Sequence, residues 1–167
     1  MLGLRPYRTS DAATIITWCD NTDLFYKWTA GIMGDYPLTA EGLNTAMAGM
    51  LDNPKFFPFV AFDEQGLVGF FILRQPGESI HELRFGFVIV DPAKRGKGYG
   101  KQMLQLGMRY AYDIYGAKRL TLGVFANNQA ALYCYQAAGF KLLDETDHYT
   151  LNGQDWLCLE LAAERNE

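Results

Sequence analysis

Val88-Ile89-Val90-Asp91-Pro92-Ala93-Lys94-Arg95-Gly96-Lys97-Gly98-Tyr99-Gly100-Lys101 is the stretch whose reading decides the fold. Its β-branched start predicts a strand and its proline and glycines a tight turn. From Gly98 to Tyr115 the apolar positions Met103, Gly107, Tyr110, Ala111 and Ile114 form one helical stripe. A strand that enters a helix through glycines suits a bound anion. Glycine lets the backbone approach phosphate oxygens, and the unpaired N–H groups of the first helical turn attract negative charge. Arg95, Lys97 and Lys101, with Lys94, add positive field there. The spacing excludes two nucleotide motifs. A dinucleotide GxGxxG starting at Gly96 needs glycine where Lys101 stands, and Gly100-Lys101-Gln102 lacks the Ser or Thr of a P-loop.

Upstream, Leu2–Pro6 predicts a short strand, Ser10 an N-cap for a helix carrying Ala13, Ile16 and Trp18, and Thr39 the start of a second helix. Between them, residues 21–37 carry turn signals and aromatics with no clean period, which predicts a loop facing the substrate. Phe56–Phe62 and Leu67–Leu73 flank Asp63-Glu64-Gln65-Gly66 as an antiparallel hairpin, and Ile80–Val90 is the next strand. Downstream, Leu120–Phe125 predicts a strand and Asn128–Ala138 a short helix ended by Gly139. Two last strands meet at Asn152-Gly153.

The 167 residues, 49% hydrophobic, suffice for one domain with a sizeable core, and no linker or repeat divides residues 1–167. A net charge of −4 disfavours nucleic acid as a partner. Cys19, Cys134 and Cys158 lack CxxC spacing, and His81 and His148 are too few for the usual zinc sets, so no metal is expected. No signal sequence or membrane-length apolar run is present, which leads us to expect a cytoplasmic protein with reduced thiols and no membrane partner.

Arg95-x-x-Gly98-x-Gly100 after a hydrophobic strand resembles the coenzyme A motif of the GCN5-related N-acetyltransferases (GNAT). Asn128-x-x-Ala131-x-x-x-Tyr135-x-x-x-Gly139-Phe140 is similar to that family's second cofactor segment. The resemblance implies an α/β (α+β) fold with a mixed, strongly twisted central sheet flanked by about four helices. It further implies acetyl-CoA as acetyl donor, an amine as acceptor, and a monomer or homodimer. The pantetheine arm would lie where the strand Ile80–Val90 and the strand Leu120–Phe125 splay apart, bonded by backbone groups of Val88 and Val90 like an added strand. By the same resemblance, Arg95, Gly96, Lys97, Gly98, Tyr99, Gly100 and Lys101 hold the pyrophosphate, with Asn128, Ala131 and Tyr135 towards the thiol.

Acetyl transfer from a thioester to an amine needs a neutral amine, stabilisation of charge on the carbonyl oxygen, and a proton for the leaving thiolate. The resemblance puts the Val88 N–H at the carbonyl and makes Tyr135 the candidate general acid. Asn128 serves equally well as a helix cap. The two places where relatives carry a basic Glu are Arg84 and Gly123 here. Glu82 acting through water is the remaining candidate base, with an ordinary Glu82–Arg84 ion pair as its alternative and solvent as a sufficient base. Tyr26, Trp28 and Tyr36 with Asp23 and Asp35 would make an aromatic, acid-edged acceptor pocket to which Arg84 also belongs. An idle acyl-CoA-binding relative is the competing function.

Overall fold

The computed structural model describes residues 1–166. Its centre is a seven-stranded sheet: β1 (Gly3–Pro6), β2 (Phe56–Asp63), β3 (Gly66–Arg74), β4 (Glu82–Val90), β5 (Arg119–Phe125), β6 (Lys141–Leu151) and β7 (Gln154–Glu164), in the order β1-β2-β3-β4-β5-β7-β6. Local chemistry sets the hairpins. Asp63 Oδ1 accepts from the Gln65 N–H at 2.8 Å, and Gly66 supplies a φ of +128°. All neighbouring strands are antiparallel except β4 and β5. Their parallel pairing runs only from Glu82↔Arg119 to Arg84↔Thr121, after which the two strands part.

Each sheet face buries its own apolar cluster. Leu73, Leu83, Phe85, Leu120 and Leu161 pack beneath α4 (Tyr99–Arg109) and α5 (Gln129–Ala138), which contribute Met103, Leu104 and Ala138. Val60, Phe70, Ile72 and Ile89 pack beneath α1 (Ala12–Ile15), α2 (Thr22–Thr29) and α3 (Ala40–Met50), which contribute Ile15, Phe25, Leu43 and Met47. Burying both faces of a sheet explains why its inner strands read as continuous apolar runs. Among the described residues no helix is long and apolar enough to cross a membrane.

Four expectations need correction. Ser10 is not an N-cap: buried Asp11 accepts from the Arg8 N–H at 2.8 Å and from both Arg5 guanidinium nitrogens at 2.9 and 2.8 Å, so the chain turns through short 3₁₀ segments around α1. Residues 21–37 are not all loop, because Asn21 Oδ1 caps α2 by accepting from the Leu24 N–H at 2.8 Å. α2 ends at Ala30, whose φ of +52° is left-handed. The strand expected from Ile80 begins at Glu82, and Ile80 itself is exposed. The long helix expected to Tyr115 is α-helical to Arg109 and widens into a π turn over Tyr110–Tyr115.

β4 also carries a bulge. Ile72 faces Gly86 and Phe70 faces Ile89, so Phe87 and Val88 together stand opposite Phe71, and Phe87 has a φ of +49°. The extra residue breaks the alternation that would set Glu82, Arg84, Gly86 and Val88 on one face. Val88 and Val90 pack with the cluster beneath α4 and α5, whereas Phe87 and Ile89 pack with the other.

Candidate active site

The divergence of β4 from β5 opens a cleft of about 670 Å³. At one end, Arg95, Gly96, Gly98, Tyr99, Gly100 and Lys101 form its wall. Gly96 and Gly98 have φ of +77° and +79°, a region where a Cβ is strained, and so curl the turn into the first turn of α4. Asn21, Thr39 and Asn128 cap α2, α3 and α5 with their side chains, but Gly98 offers α4 none. The first intrahelical bond there runs from the Gln102 N–H to the Gly98 carbonyl, leaving the N–H groups of Tyr99, Gly100 and Lys101 without an intrahelical partner. Uncapped N–H groups beside Arg95 and Lys101 fit a pyrophosphate.

The turn is anchored from behind. Asp63 binds Lys94 Nζ at 3.3 Å and accepts from the Tyr99 hydroxyl at 3.1 Å. The Gln65 N–H, with Lys94 and Tyr99, holds the Asp63 carboxyl below its ordinary value. Lys94 therefore serves the turn. Lys97 lies outside the cleft wall.

In the middle of the cleft stand Val88, Val90, Asn128, Ala131, Cys134 and Tyr135. Beyond Arg84 the β5-facing edge of β4 has no strand partner, so backbone groups along Gly86–Val90 face the cleft unpaired by the sheet. The bulge is held from α2: Trp28, buried at 6% exposure, donates its indole N–H to the Phe87 carbonyl at 2.9 Å. Tyr135 is buried, and burial, with a smaller contribution from Cys134, pushes its phenol well above the ordinary value near 10. Burial likewise raises the Cys134 thiol, which keeps it neutral and unsuited to nucleophilic attack. Asn128 Oδ1 accepts from the Ala131 N–H at 3.4 Å, so the capping role is made while the residue lines the cleft.

The far end is lined by Lys27, Trp28, Arg74, Arg84, Phe125, Tyr149 and Cys158. Arg84 makes a bidentate pair with Glu160 at 2.8 and 2.9 Å. Burial alone would lower the Arg84 pKa, but the Glu160 bonds outweigh it and the net shift is upward. Gly123 makes room for this pair: a Cβ there would stand 2.8 Å from Arg84 Nη2 and 2.9 Å from Glu160 Oε2. A glutamate at this position would collide with the pair that occupies its space.

Of the residues expected at the acceptor pocket, Trp28 and Arg84 line the cleft and Tyr26 and Tyr36 do not. Tyr26 packs on Trp156 with ring centroids 6.4 Å apart, and Tyr36 packs on Phe25 at 5.8 Å. Glu82 is also outside the cleft and pairs with Arg119 at 3.5 Å rather than with Arg84. Asp23 is tied to Lys27 at 2.8 Å, and no Asp or Glu lines the cleft among the described residues, so the pocket is not acid-edged. Arg74, Tyr149 and Cys158 escaped sequence reasoning. The only signal for Arg74 was its place in the alternation Phe70, Ile72, Arg74 along β3.

A family model described as the acetyltransferase (GNAT) family matches residues 18–140. This chain belongs to the GNAT family. It is thereby an acetyl-CoA-dependent N-acetyltransferase. Among GNAT relatives, a spermine/spermidine N(1)-acetyltransferase of Bacillus subtilis (strain 168) is 32% identical over 109 residues, covering 62% of this chain and 70% of the relative. A mycothiol acetyltransferase of Salinispora tropica is 30% identical over 128 residues, covering 71% of this chain and 40% of that protein. The structure of spermidine N-acetyltransferase from Vibrio cholerae in complex with CoA and spermine superposes with a TM-score of 0.81 at 19% identity, over 98% of this chain and 95% of that one. That likeness is one of fold.

Proposed function

We propose that this GNAT protein passes the acetyl group of acetyl-CoA directly to a primary amine held in the same cleft, with no acyl-enzyme in between. The observation that carries this reading is the continuity of the cleft from the uncapped start of α4, along the unpaired edge of β4, past Tyr135 to an open pocket at Arg74 and Arg84. Acetyl-CoA supplies an activated acyl carbon and a thiolate leaving group.

The protein's part is positional and electrostatic. The N–H groups at the start of α4, with Arg95 and Lys101, bind the diphosphate, and the free edge of β4 orients the arm. The Val88 N–H, aimed by the bulge, stabilises negative charge developing on the carbonyl oxygen. Tyr135 donates a proton to the departing sulfur. Its raised pKa keeps the phenol protonated across the working pH range, so the donor is always loaded. Water takes the proton from the amine, since the described cleft wall holds no carboxylate.

Initial velocities measured with both substrates varied test the proposal. Intersecting double-reciprocal lines are expected for a ternary complex. Parallel lines would indicate an acyl-enzyme and refute direct transfer. Saturable acetyl-CoA binding without thiol release from any amine would refute transfer to an amine in this cleft.

A further inference from the structure

The charged side chains that line the cleft are all cationic: Lys27, Arg74, Arg84, Arg95 and Lys101. Arg95 and Lys101 stand at the cradle, where a diphosphate would neutralise them. Of the three at the far end, Lys27 is neutralised by Asp23 at 2.8 Å and Arg84 by Glu160 at 2.8 Å. Arg74 has no carboxylate within ion-pair distance among the described residues. It is also directly opposite Arg84 across the β3–β4 ladder, on the same face. Residues so paired have Cβ atoms roughly 5 Å apart, and like charges there repel. Arg84 is committed to Glu160 through both of its terminal nitrogens, so Arg74, which feels Glu160 only at longer range, is left as a second guanidinium in the cleft wall with no carboxylate paired to it among the described residues.

From this arrangement we infer that the acceptor is a small zwitterion, an amine that also bears a carboxylate or comparable oxyanion, and that Arg74 is the residue that docks its anionic group. The inference rests on reading the cleft as an acetyl-transfer site. A guanidinium engages a carboxylate through two parallel charge-assisted hydrogen bonds, which would fix the acceptor's orientation as well as hold it. A polyamine, by contrast, would bring further ammonium groups to a wall that offers them cations and no carboxylate. The acceptor pocket thus differs in charge from what the names of the polyamine-acetylating relatives would suggest, although the fold is shared.

The test uses acceptor pairs that differ by one carboxylate: lysine with cadaverine, ornithine with putrescine, and phenylalanine with phenethylamine, with spermidine as the polycation. Thiol release from acetyl-CoA is followed with the full chain as wild type, R74Q and R74K, and acetyl-CoA binding is titrated separately for each. In at least one pair the carboxylated member is expected to have the higher kcat/KM and to exceed spermidine. R74Q should cut the ratio of kcat/KM within that pair by about ten- to a hundredfold, the effect of losing hydrogen bonds to a charged group. R74K, which keeps the charge without the fork, should fall between. Preference for spermidine or for the carboxylate-free members, an unchanged ratio in R74Q, or intact acetyl-CoA binding with no turnover of any carboxylated probe overturns the inference. Absence of acetyl-CoA binding in the wild type overturns instead the reading of the cleft on which it rests.

Discussion

Replacing Trp28 by phenylalanine separates the cleft's architecture from its contents. The indole N–H donates to the Phe87 carbonyl at 2.9 Å, and phenylalanine keeps an aromatic ring there but removes the donor. A partly buried carbonyl left unpaired costs about 1–3 kcal/mol, and the volume lost from a side chain at 6% exposure adds about 1 kcal/mol. Phe87 also sits at a φ of +49°, a conformation that costs a non-glycine residue about 1–2 kcal/mol and that surrounding bonds must maintain. W28F is therefore expected to unfold in urea with a stability loss of about 2–4 kcal/mol. With Phe87 released, the neighbouring Val88 N–H would lose the aim at the acetyl carbonyl that we propose for it. Full loss of such a donor costs about 10²–10³ in kcat, so a misaligned one should cost about tenfold or more at saturating substrates. A variant that loses stability while keeping wild-type kcat would refute the claim that Trp28 positions the catalytic backbone.

Three further variants and one change of condition probe the remaining parts. Y135F should lower kcat about a hundredfold or more and leave acetyl-CoA affinity near that of wild type, as measured by isothermal titration; an unchanged kcat removes Tyr135 from the mechanism. Because burial raises the Tyr135 pKa, its acid form persists as pH rises, and kcat/KM should climb with unit slope towards the amine's own pKa without an alkaline fall up to about pH 10. G98A places a Cβ at a φ of +79°, costs about 1–2 kcal/mol and turns the first N–H groups of α4. Its acetyl-CoA dissociation constant should rise about tenfold. G123A sets a methyl against Arg84 and Glu160, whose flexible ends must move apart, and should cost about 1–2 kcal/mol in urea unfolding.

The glycine-turn end of the cleft was legible because its chemistry is local. A strand, a glycine turn and a helix start lie within residues 88–101, and the α5 segment from Asn128 to Tyr135 obeys helical spacing. The hairpins at Gly66 and Asn152-Gly153 were legible for the same reason, each being set by its own turn residues. The acceptor end was not, since its contacts join distant segments. Arg84 and Glu160 are 76 residues apart in the chain, and Trp28 and Phe87 are 59 apart. The β4 bulge breaks the period-2 alternation, so Val88 turns to the face opposite the one that strict alternation from Glu82 would give it, and no local residue pattern marks where the extra residue falls. In α2 the aromatic residues hid the helical period, although Asn21-Thr22-Asp23 carried a cap signal in plain view. Acidic Asp23 looked like an acceptor contact because nothing local reveals that Lys27, one turn on, takes its charge.

The most direct test of the central claim is mass-spectrometric detection of an acetylated amine, with matching thiol release, when the purified chain is given acetyl-CoA and the amine panel. The account predicts stoichiometric acetyl-amine and free thiol only when both substrates are present, formed about a hundredfold or more slowly by Y135F. Saturable acetyl-CoA binding with no acetylated product from any amine would contradict it.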